Sequence, residues 1–592
     1  MNAILHQLTE RTVGGFRWTM LPDLHQQLLN ENGLRIQEWL ASGQARIVKN
    51  GPTRTVYRVE LPGLSFFVKH NYVHNSRAWF RQLVRPSKAR MEFDRVRAAA
   101  ARGIPTIAPL ALAEAETRIG SGESILITQS LEGAIPLHVF LASMLPTYPD
   151  SQATRLRQNL AVELGRLVAR IHDAGILHHD LHAGNLLARI GADGNVQLFV
   201  IDLLAVETGP PLDWEQSRDN LVMINCWFTI RVNRSDRLRF WQAYYDARGM
   251  GPWQRDAYGT KPYTKGLREI EAASWTRNQR FWLRRDKRCV INNRYYRKVK
   301  APGVVGHALT DVGANQLAEL MRDPDAPFRR TDVRVLKDSS SSTVIEMQFP
   351  INGVMRPVIY KRFHVCAWKD PISSLFRPTP AMRSWVHGQG FRERGLATAR
   401  PFAVLHRSSI GMLHSGYLLT EKIDHAYDLH DFVDSLASLA PERQSKMRHK
   451  MIERVARTIR DLHVRQLSHR DLKAANILVR KWDAPAGEPS SYSQDVENLL
   501  YVPESVVWLI DLVGVDRFGT LSRSRKVQNL ARLNASFLGG RRISRTDRLR
   551  FLMRYLNFGA FATGEWKTWW KEIDRATRKK VEHNRRRGKP LL

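Results

Sequence analysis

The sequence predicts an α+β protein made of two tandem copies of one two-lobed domain, each with a small β-rich lobe and a larger helical lobe. Three observations support this prediction. The chain has 592 residues, which is too long for a single hydrophobic core. Its second half repeats motifs of its first half at a spacing of about 290 residues. Each half runs from alternating, turn-punctuated segments to long segments with helical periodicity.

The elements of the first half follow in a clear order. The stretch "ARIVKNGPTRTVYRVELPGLSFFVK" alternates apolar and polar residues and predicts strands, and "PSKARMEFDRVRAAAARG" predicts a helix that ends at Gly103. The stretch "ESILITQSLEG" predicts a further strand. A long helix over roughly 153–174 leads into the loop "HHDLHAGN", which is followed by the strand "VQLFVIDLLAVE" and a helical remainder.

The second half repeats these features in the same order. Lys69 in "FFVKH" and Lys361 in "VIYKR" each follow an apolar run and lie 292 residues apart. The loop with Asp180 recurs 291 residues later as "HRDLKAAN" with Asp471, and "SDRLRF" recurs as "TDRLRF". Such a repeat indicates two copies of one large unit. We therefore predict domains at 1–300 and 301–592.

The composition indicates an anionic partner. The chain carries 91 Lys and Arg against 57 Asp and Glu, a net charge of +34. This excess favours nucleic acid, an acidic membrane face or phosphorylated glycans, and no specific nucleic-acid motif is present. No apolar run of membrane-spanning length occurs, and Cys226, Cys289 and Cys366 have neither zinc-type nor disulfide-framework spacing. These features predict a cytoplasmic protein. The positive charge adds the further expectation that the protein associates peripherally with the inner face of the cytoplasmic membrane.

The loop "HHDLHAGN" raises the alternative of a metal site. His178, His179 and His182 are zinc ligands in principle. The second copy keeps a histidine only at the first position and has Arg470 and Lys473 at the other two. A zinc site in both copies is therefore not expected.

Phosphoryl transfer fits both loops better, because both follow the pattern H-x-D-L-x-x-x-N and precede an apolar strand that ends in aspartate. In kinases the lysine holds the α- and β-phosphates, and the first aspartate orients and deprotonates the attacking hydroxyl. The asparagine and the second aspartate hold magnesium. This pattern predicts ATP and Mg²⁺ as cofactors. The phosphate-binding residues are Lys69 and Lys361, and the catalytic residues are Asp180 and Asp471. The metal-binding residues are Asn185, Asp202, Asn476 and Asp511.

With these motifs the chain resembles the protein-kinase-like superfamily, and more closely the Kdo/WaaP lipopolysaccharide kinase family. "KNGPTRTVYRVEL", with Gly51, is similar to that family's nucleotide loop, and "ARMEF…ARGIPTIAPLAL" is similar to its helix C and the turn after it. The resemblance implies two tandem protein-kinase-like domains. It also implies an ATP-dependent phosphotransferase whose acceptor is a sugar hydroxyl of lipopolysaccharide core or a related glycan, and hence an anionic glycolipid or glycan partner.

Departures from the kinase pattern leave two alternatives open. Neither copy has G-x-G-x-x-G: the first offers Gly51 alone and the second offers "KDSSSSTV". The loop "HRDLKAAN" is similar to that of protein kinases, so a protein Ser/Thr kinase is one alternative. A non-catalytic, membrane-associated scaffold of two pseudokinase domains is the other, although both copies retain the lysine, base, asparagine and metal aspartate.

The two copies differ at helix C. In kinases a glutamate on this helix orients the lysine, and Glu92 occupies that position 23 residues after Lys69. The same offset from Lys361 gives Ser384, and the nearby Glu393 aligns with Ala101. We therefore predict that the first domain is the more active copy and that the second is weak or regulatory.

Two further segments carry expectations. Near the C-terminus, Trp566, Trp569, Trp570 and Ile573 share one helical face, which either packs on the helical lobe or lies in a membrane interface. The Ser-, Gly- and Pro-bearing stretch 482–497 predicts a mobile insertion between the loop and the following strand.

Overall fold

A computed structural model describes the chain at residues 8–73, 85–116, 122–249, 262–364, 378–409, 412–480, 506–538, 543–556, 564–586 and 588. The chain divides into two compact units, Met1–Asn278 and Gln279–Leu592. This division falls within the helix Pro262–Arg288, upstream of residue 300, where the repeat places the domain boundary. The expected insertion at 482–497 and Cys366 lie outside the described residues.

The small lobe of the first unit is a seven-stranded antiparallel sheet. In spatial order its strands are Thr9–Val13, Phe16–Met20, Pro109–Ala115, Ser124–Gln129, Leu64–Asn71, Arg54–Leu61 and Ala45–Gly51. A two-stranded ribbon, Leu29–Asn30 with Gly33–Leu34, and the helices His25–Leu28, Ile36–Ala41 and Lys88–Ala101 accompany it. Trp18, Trp39, Phe66 and Ile127 are buried in its core.

The large lobe of the first unit is mainly helical. Its helices are Leu137–Val139, Asp150–Asp173, Trp214–Phe228, Arg234–Ala247 and the start of Pro262–Arg288, with a π-helical segment at Phe140–Met144. Its small sheets pair Ala134–Pro136, Leu186–Ile190 and Val196–Val200, and pair Ile176–His178 with Val206–Thr208. The two small sheets frame the loop that contains Asp180.

The second unit has the same plan. Its seven-stranded sheet runs Tyr296–Ala301, Val304–Leu309, Pro401–Ser409, Met412–Glu421, Val354–Phe363, Ser342–Ile351 and Arg334–Ser339. Its helices are Ala314–Arg322, Pro380–Glu393, Leu429–Ser435, Pro441–Val464, Arg523–Ala535, Arg545–Leu556 and Glu565–Arg586. Its small sheets pair Ala426–Asp428, Ile477–Arg480 and Val507–Leu509, and pair Leu467–His469 with Val515–Arg517.

Both seven-stranded sheets share one topology. Numbered along the chain, the strands of each sheet lie in the order 1-2-6-7-5-4-3. In both sheets the lysine lies on strand 5, which pairs on one side with strand 4. The predicted α+β class, with two copies of a β-rich lobe followed by a helical lobe, is confirmed.

The hairpin that ends in the lysine strand is closed by a two-residue turn in both units. In the first unit Pro62 and Gly63 form the turn, and Gly63 has φ of 74°, as the third position of a type II turn requires. In the second unit Asn352 and Gly353 both have positive φ, at 52° and 75°. This is the Asn-Gly type I′ turn that suits the twist of antiparallel strands.

The helix that faces each sheet has equivalent boundaries in both units. Ser87 caps Lys88–Ala101 by accepting from the Arg90 amide, and Thr379 caps Pro380–Glu393 by accepting from the Met382 amide. Hydroxyl caps satisfy backbone N–H groups that have no partner inside a helix. Glycines with positive φ follow both helices, at Gly103 and Gly395, as is common at helix ends.

The final helix, Glu565–Arg586, packs on the helical core of the second unit. Trp569 is 8% exposed, and Trp570 and Ile573 pack against the same core. Three of the four residues of the apolar face therefore pack on the helical lobe, as the first of the two interpretations predicts. No helix among the described residues is long and apolar enough to cross a bilayer.

The repeated "DRLRF" motif has a structural role. Asp236, 1% exposed, forms ion pairs with Arg157 of the long helix and with Arg239, the latter at 2.8 Å. In the second unit Asp547 lies 3.8 Å from Arg448, which also belongs to the long helix. The motif thus ties two helices of each helical lobe together.

We predict that Asp236→Ala lowers the free energy of unfolding of the first unit by about 3 kcal/mol, because it leaves the Arg157 and Arg239 guanidinium groups without their buried carboxylate. Urea denaturation followed by fluorescence measures this loss. Asp219→Ala is the matched control: Asp219 pairs with Arg218 at the surface, and a loss there of about 0.5 kcal/mol or less is expected. Equal losses in the two variants would contradict the structural role.

Candidate functional site

The site of the first unit begins with a buried ion pair. Lys69 lies on the strand Leu64–Asn71, and its Nζ donates a hydrogen bond to Glu92 Oε1 on the helix Lys88–Ala101. Glu92 is 3% exposed. The charge pair therefore fixes the lysine in a desolvated position between sheet and helix, as the 23-residue spacing predicts.

The loop with Asp180 is held by buried hydrogen bonds. The Asp180 amide donates to His178 Nδ1 at 3.1 Å, and the Asn185 side chain donates to the Asp180 carbonyl at 2.9 Å. Burial lowers the pKa of His178 to about 4. The ring is therefore neutral near pH 7 and can accept the amide proton, which orients the backbone of Asp180.

His182 lies next to the Asp180 carboxylate. Its Nδ1 accepts from the Gly184 amide at 3.0 Å, which leaves the proton on Nε2, 3.5 Å from Asp180 Oδ2. This contact is the main reason that the pKa of Asp180 is lowered. A Cβ at Gly184 would come within 2.8 Å of the ring. The second copy has Lys473 and Ala475 at these two positions, so the two replacements are compatible with each other.

Asp202 joins Asp180 in one cleft. The cleft has a volume of about 280 Å³ and is lined by polar and small side chains: Thr53, Arg54, Asn71, Lys88, Asp180, Asp202, Leu204 and Ala205. Asp202 has φ of 57°, a left-handed conformation that is uncommon for a residue with a side chain. Gly51 ends the first strand of a hairpin, Thr53 lies in its turn, and Arg54 begins its second strand and pairs with Gly51.

The second unit holds its lysine differently. Lys361 Nζ lies 2.9 Å from Asp511 Oδ1. Ser384, which replaces the helix glutamate, is buried, whereas Glu393 lies 3.7 Å from Arg285. Burial alone would raise the pKa of Asp511, but the Lys361 ammonium outweighs it, and the pKa lies below its usual value.

The second loop also pairs its aspartate internally. Asn476 donates to the Asp471 carbonyl at 2.8 Å and to its carboxylate at 3.0 Å. Lys473 Nζ lies 3.2 Å from the same carboxylate oxygen. Asp511 has φ of 57°, as Asp202 does. The backbone of the two sites is thus alike, whereas the charge pairs on their carboxylates differ.

The oxygen donors of the first unit suit a hard cation. Asn185 uses its amide nitrogen for the Asp180 carbonyl, which leaves its amide oxygen outside that bond. The nearest described cation to the Asp202 carboxylate is Arg54, at 4.0 Å. Carboxylate and amide oxygens are the ligands that Mg²⁺ takes. In the second unit the equivalent carboxylate already contacts Lys361, so a cation there would compete with the lysine.

Several residues that hold the site were not found from the sequence. Asn220, 1% exposed, donates to the His178 carbonyl at 2.8 Å, and Asn529 accepts from the His469 amide at 2.9 Å in the second unit. Arg95 on the helix donates to the Leu204 carbonyl, beside Asp202. The recurrence of "DNL" as "QNL" in the two halves is the signal that marks the asparagines.

Comparison with known proteins gives relatives of one kind. The lipopolysaccharide core heptose(I) kinase WaaP of Pseudomonas aeruginosa is 26% identical over 227 residues, which are 36% of this chain and 82% of that protein. The WaaP of Escherichia coli is 24% identical over 34% of this chain and 79% of that protein. A 3-deoxy-D-manno-octulosonic acid kinase of Haemophilus influenzae is 31% identical over 25% of this chain and 50% of its own length.

A solved structure described as "WaaP in complex with acyl carrier protein" aligns at 21% identity and a TM-score of 0.32, over 44% of this chain and 98% of that chain. This score is too low to support an inference. The model of the lipopolysaccharide kinase (Kdo/WaaP) family matches residues 37–244 and 367–555, one segment in each unit and more than half of the chain in total. The chain therefore belongs to the lipopolysaccharide kinase (Kdo/WaaP) family, and it is an ATP-using phosphotransferase of the lipopolysaccharide and sugar kinase type.

Proposed function

We propose that the first unit transfers the γ-phosphoryl group of ATP to a sugar hydroxyl of lipopolysaccharide core or a related anionic glycan. The observation that supports this most is the buried Lys69–Glu92 pair in the same unit as the cleft with Asp180 and Asp202. The relatives named as heptose and 3-deoxy-D-manno-octulosonic acid kinases support the sugar acceptor.

In this reaction the acceptor hydroxyl gives its proton to Asp180 as its oxygen bonds to the γ-phosphorus. The bond from the γ-phosphorus to the bridging oxygen breaks, and ADP leaves. The Asp180 side chain is 63% exposed, so a bulky glycan can reach it. The lowered pKa of Asp180 keeps its carboxylate ionised, so that it can accept a hydrogen bond from the acceptor hydroxyl and take the proton as the bond to phosphorus forms. Lys69, aligned by Glu92, contacts the phosphates, and the Gly51 hairpin covers them.

Asn185 and Asp202 are the residues that would hold magnesium in the first unit. The ion supplies neutralisation of the charge on the phosphate oxygens. The chain's own contribution is positioning: the Asp180 carbonyl holds the Asn185 amide at 2.9 Å, and the left-handed backbone at Asp202 sets the direction of its side chain.

The second unit is weaker or regulatory in this proposal. Its Lys361 is held by Asp511, the carboxylate that would bind the cation, and its Asp471 is held by Lys473. Both pairs must loosen before a metal-bound nucleotide and an acceptor can occupy the site. Since positioning supplies most of the catalysis in phosphoryl transfer, this rearrangement lowers the rate.

The helix glutamate gives one matched test. Glu92→Gln should lower the phosphate transfer rate about 10²-fold, because Lys69 loses the charge that orients it. Ser384→Ala, at the equivalent position of the second unit, should leave the rate unchanged. Transfer of labelled phosphate from ATP to the glycan measures both, and equal rates for the wild type and Glu92→Gln would refute the orienting role.

The two aspartates give a second test, which assigns the work between the units. Asp180→Asn should lower transfer by about 10³-fold, in the range of a lost general base, whereas Asp471→Asn should retain most activity. The reverse pattern would assign the transfer to the second unit.

Mass spectrometry of envelope glycolipids and proteins from cells with and without the gene identifies the acceptor, since loss of phosphate from protein alone would contradict a glycan kinase.

Metal dependence gives the third test. Asp202→Ala should abolish Mg²⁺-dependent transfer, because the other carboxylate among the described residues of the cleft is Asp180, which this proposal assigns to the acceptor hydroxyl. Asp511→Ala should leave most of the activity. Titration of Mg²⁺ at saturating ATP measures the requirement, and normal turnover by Asp202→Ala would remove the metal assignment.

A further inference from the structure

The long helix Pro441–Val464 of the second unit carries cations along one face. Arg443, Lys446, Lys450, Arg454 and Arg457 are spaced i, i+3, i+7, i+11 and i+14 and are all exposed. We call these five residues the basic row. At a rise of about 1.5 Å per residue the row is about 21 Å long. The opposite face is buried in the helical core: Met451, Ile452, Val455, Ala456, Ile459 and Leu462.

The row carries more positive charge than its surroundings neutralise. The side chains of Lys446, Lys450, Arg454 and Arg457 form no hydrogen bond or ion pair with any residue that the structure describes. The acidic residue interleaved in the row, Glu453, lies 3.8 Å from Arg554 of the neighbouring helix. Glu453 therefore contacts a cation outside the row, and this contact does not neutralise the cations of the row.

The fold does not require these cations. In the equivalent helix of the first unit, Asp150–Asp173, a shift of 291 residues keeps a cation at two of the five positions and places an uncharged or acidic side chain at the other three: Gln152, Arg155, Asn159, Glu163 and Arg166. Arg166 and Glu163 pair with each other at 2.7 Å. The same helix in the same fold therefore forms without a basic row, and the charge in the second unit needs another explanation.

We propose that the basic row is a docking surface for the anionic phospholipid headgroups of a membrane. The five cations lie along one exposed face of a helix, so all of them can contact a flat anionic surface at the same time. The stretch 443–457 contains no Phe, Tyr or Trp, whereas surfaces that bind single-stranded nucleic acid interleave cations with stacking aromatic side chains.

This inference rests on the proposed function in one respect. A lipopolysaccharide acceptor carries a lipid part, and adsorption of the enzyme to a membrane surface raises its concentration at the layer that holds this acceptor. Docking through the row is electrostatic, because its five side chains are all Lys or Arg, and it does not use the final helix, whose Trp569 and Trp570 pack on the core of the second unit. Each exposed Lys or Arg near an anionic surface raises partitioning about fivefold.

The test is sedimentation of the full-length protein with vesicles of phosphatidylcholine containing phosphatidylglycerol, and with vesicles of phosphatidylcholine alone. The wild type should bind the anionic vesicles and leave them in about 1 M salt, where the screening length is about 3 Å. The triple variant Lys446→Glu, Lys450→Glu and Arg454→Glu should bind at least about 100-fold more weakly, since three attracting charges are lost and three repelling charges are added.

A matched triple variant in the first unit separates the row from general charge. Arg155→Glu, Arg166→Glu and Arg170→Glu change the net charge equally at exposed positions of the equivalent helix and should keep near-wild-type binding. Equal losses in both triple variants, no binding by the wild type, or tighter binding to single-stranded nucleic acid than to anionic vesicles would each overturn the proposal.

Vesicle binding needs no ATP and no catalysis, so its failure is distinguishable from failure of the proposed function. The Asp180→Asn variant should bind vesicles like the wild type. The triple variant of the basic row should phosphorylate a soluble, delipidated glycan acceptor at the wild-type rate and lose activity only on acceptor in vesicles. Vesicle binding without any glycan phosphorylation would reject the kinase assignment alone.

Discussion

The buried pair between Lys69 and Glu92 is the interaction that holds the candidate site of the first unit in place. It joins an interior strand of the small lobe to the helix that faces it, and it lies in a place from which water is largely excluded. A buried lysine without its partner would be costly, so the pair sets the distance between strand and helix. The same helix donates from Arg95 to the carbonyl of Leu204. Sheet, helix and the segment after Asp202 are therefore linked.

The second unit shows what the same fold does without that pair. A buried serine replaces the glutamate, and Lys361 finds its counter-charge in Asp511 across the two lobes of its own unit. A lysine ammonium at a partly buried site needs an anion nearby. The two units differ in which carboxylate supplies this anion. Two copies that share strand order, helix caps and left-handed aspartates thus differ in how much of each site is already neutralised.

The two units differ more in the charge of their outer surfaces than in the contacts between their helices. The "DRLRF" aspartate is kept in both units because it ties two helices of the helical lobe together. The outer face of the long helix has no such task, and its charge differs greatly between the units. The chain's excess of +34 is therefore not spread evenly over equivalent surfaces.

The sequence alone determined the order of elements, the twofold repeat and the positions of Lys69, Asp180, Asn185 and Asp202. These features depend on local periodicity and fixed spacing, which the chain carries before it folds. The helix glutamate was also found, because it lies within one strand-to-helix connection of its lysine.

The tertiary structure alone decided which groups meet across long separations. The contact of Lys361 with Asp511, the bond of Asn220 to the loop and the inward direction of Trp569 each join segments far apart in the chain. An amphipathic face shows that a helix buries one side, but not against what. That choice depends on which neighbouring surface the folded chain leaves open, and periodicity carries no information about it.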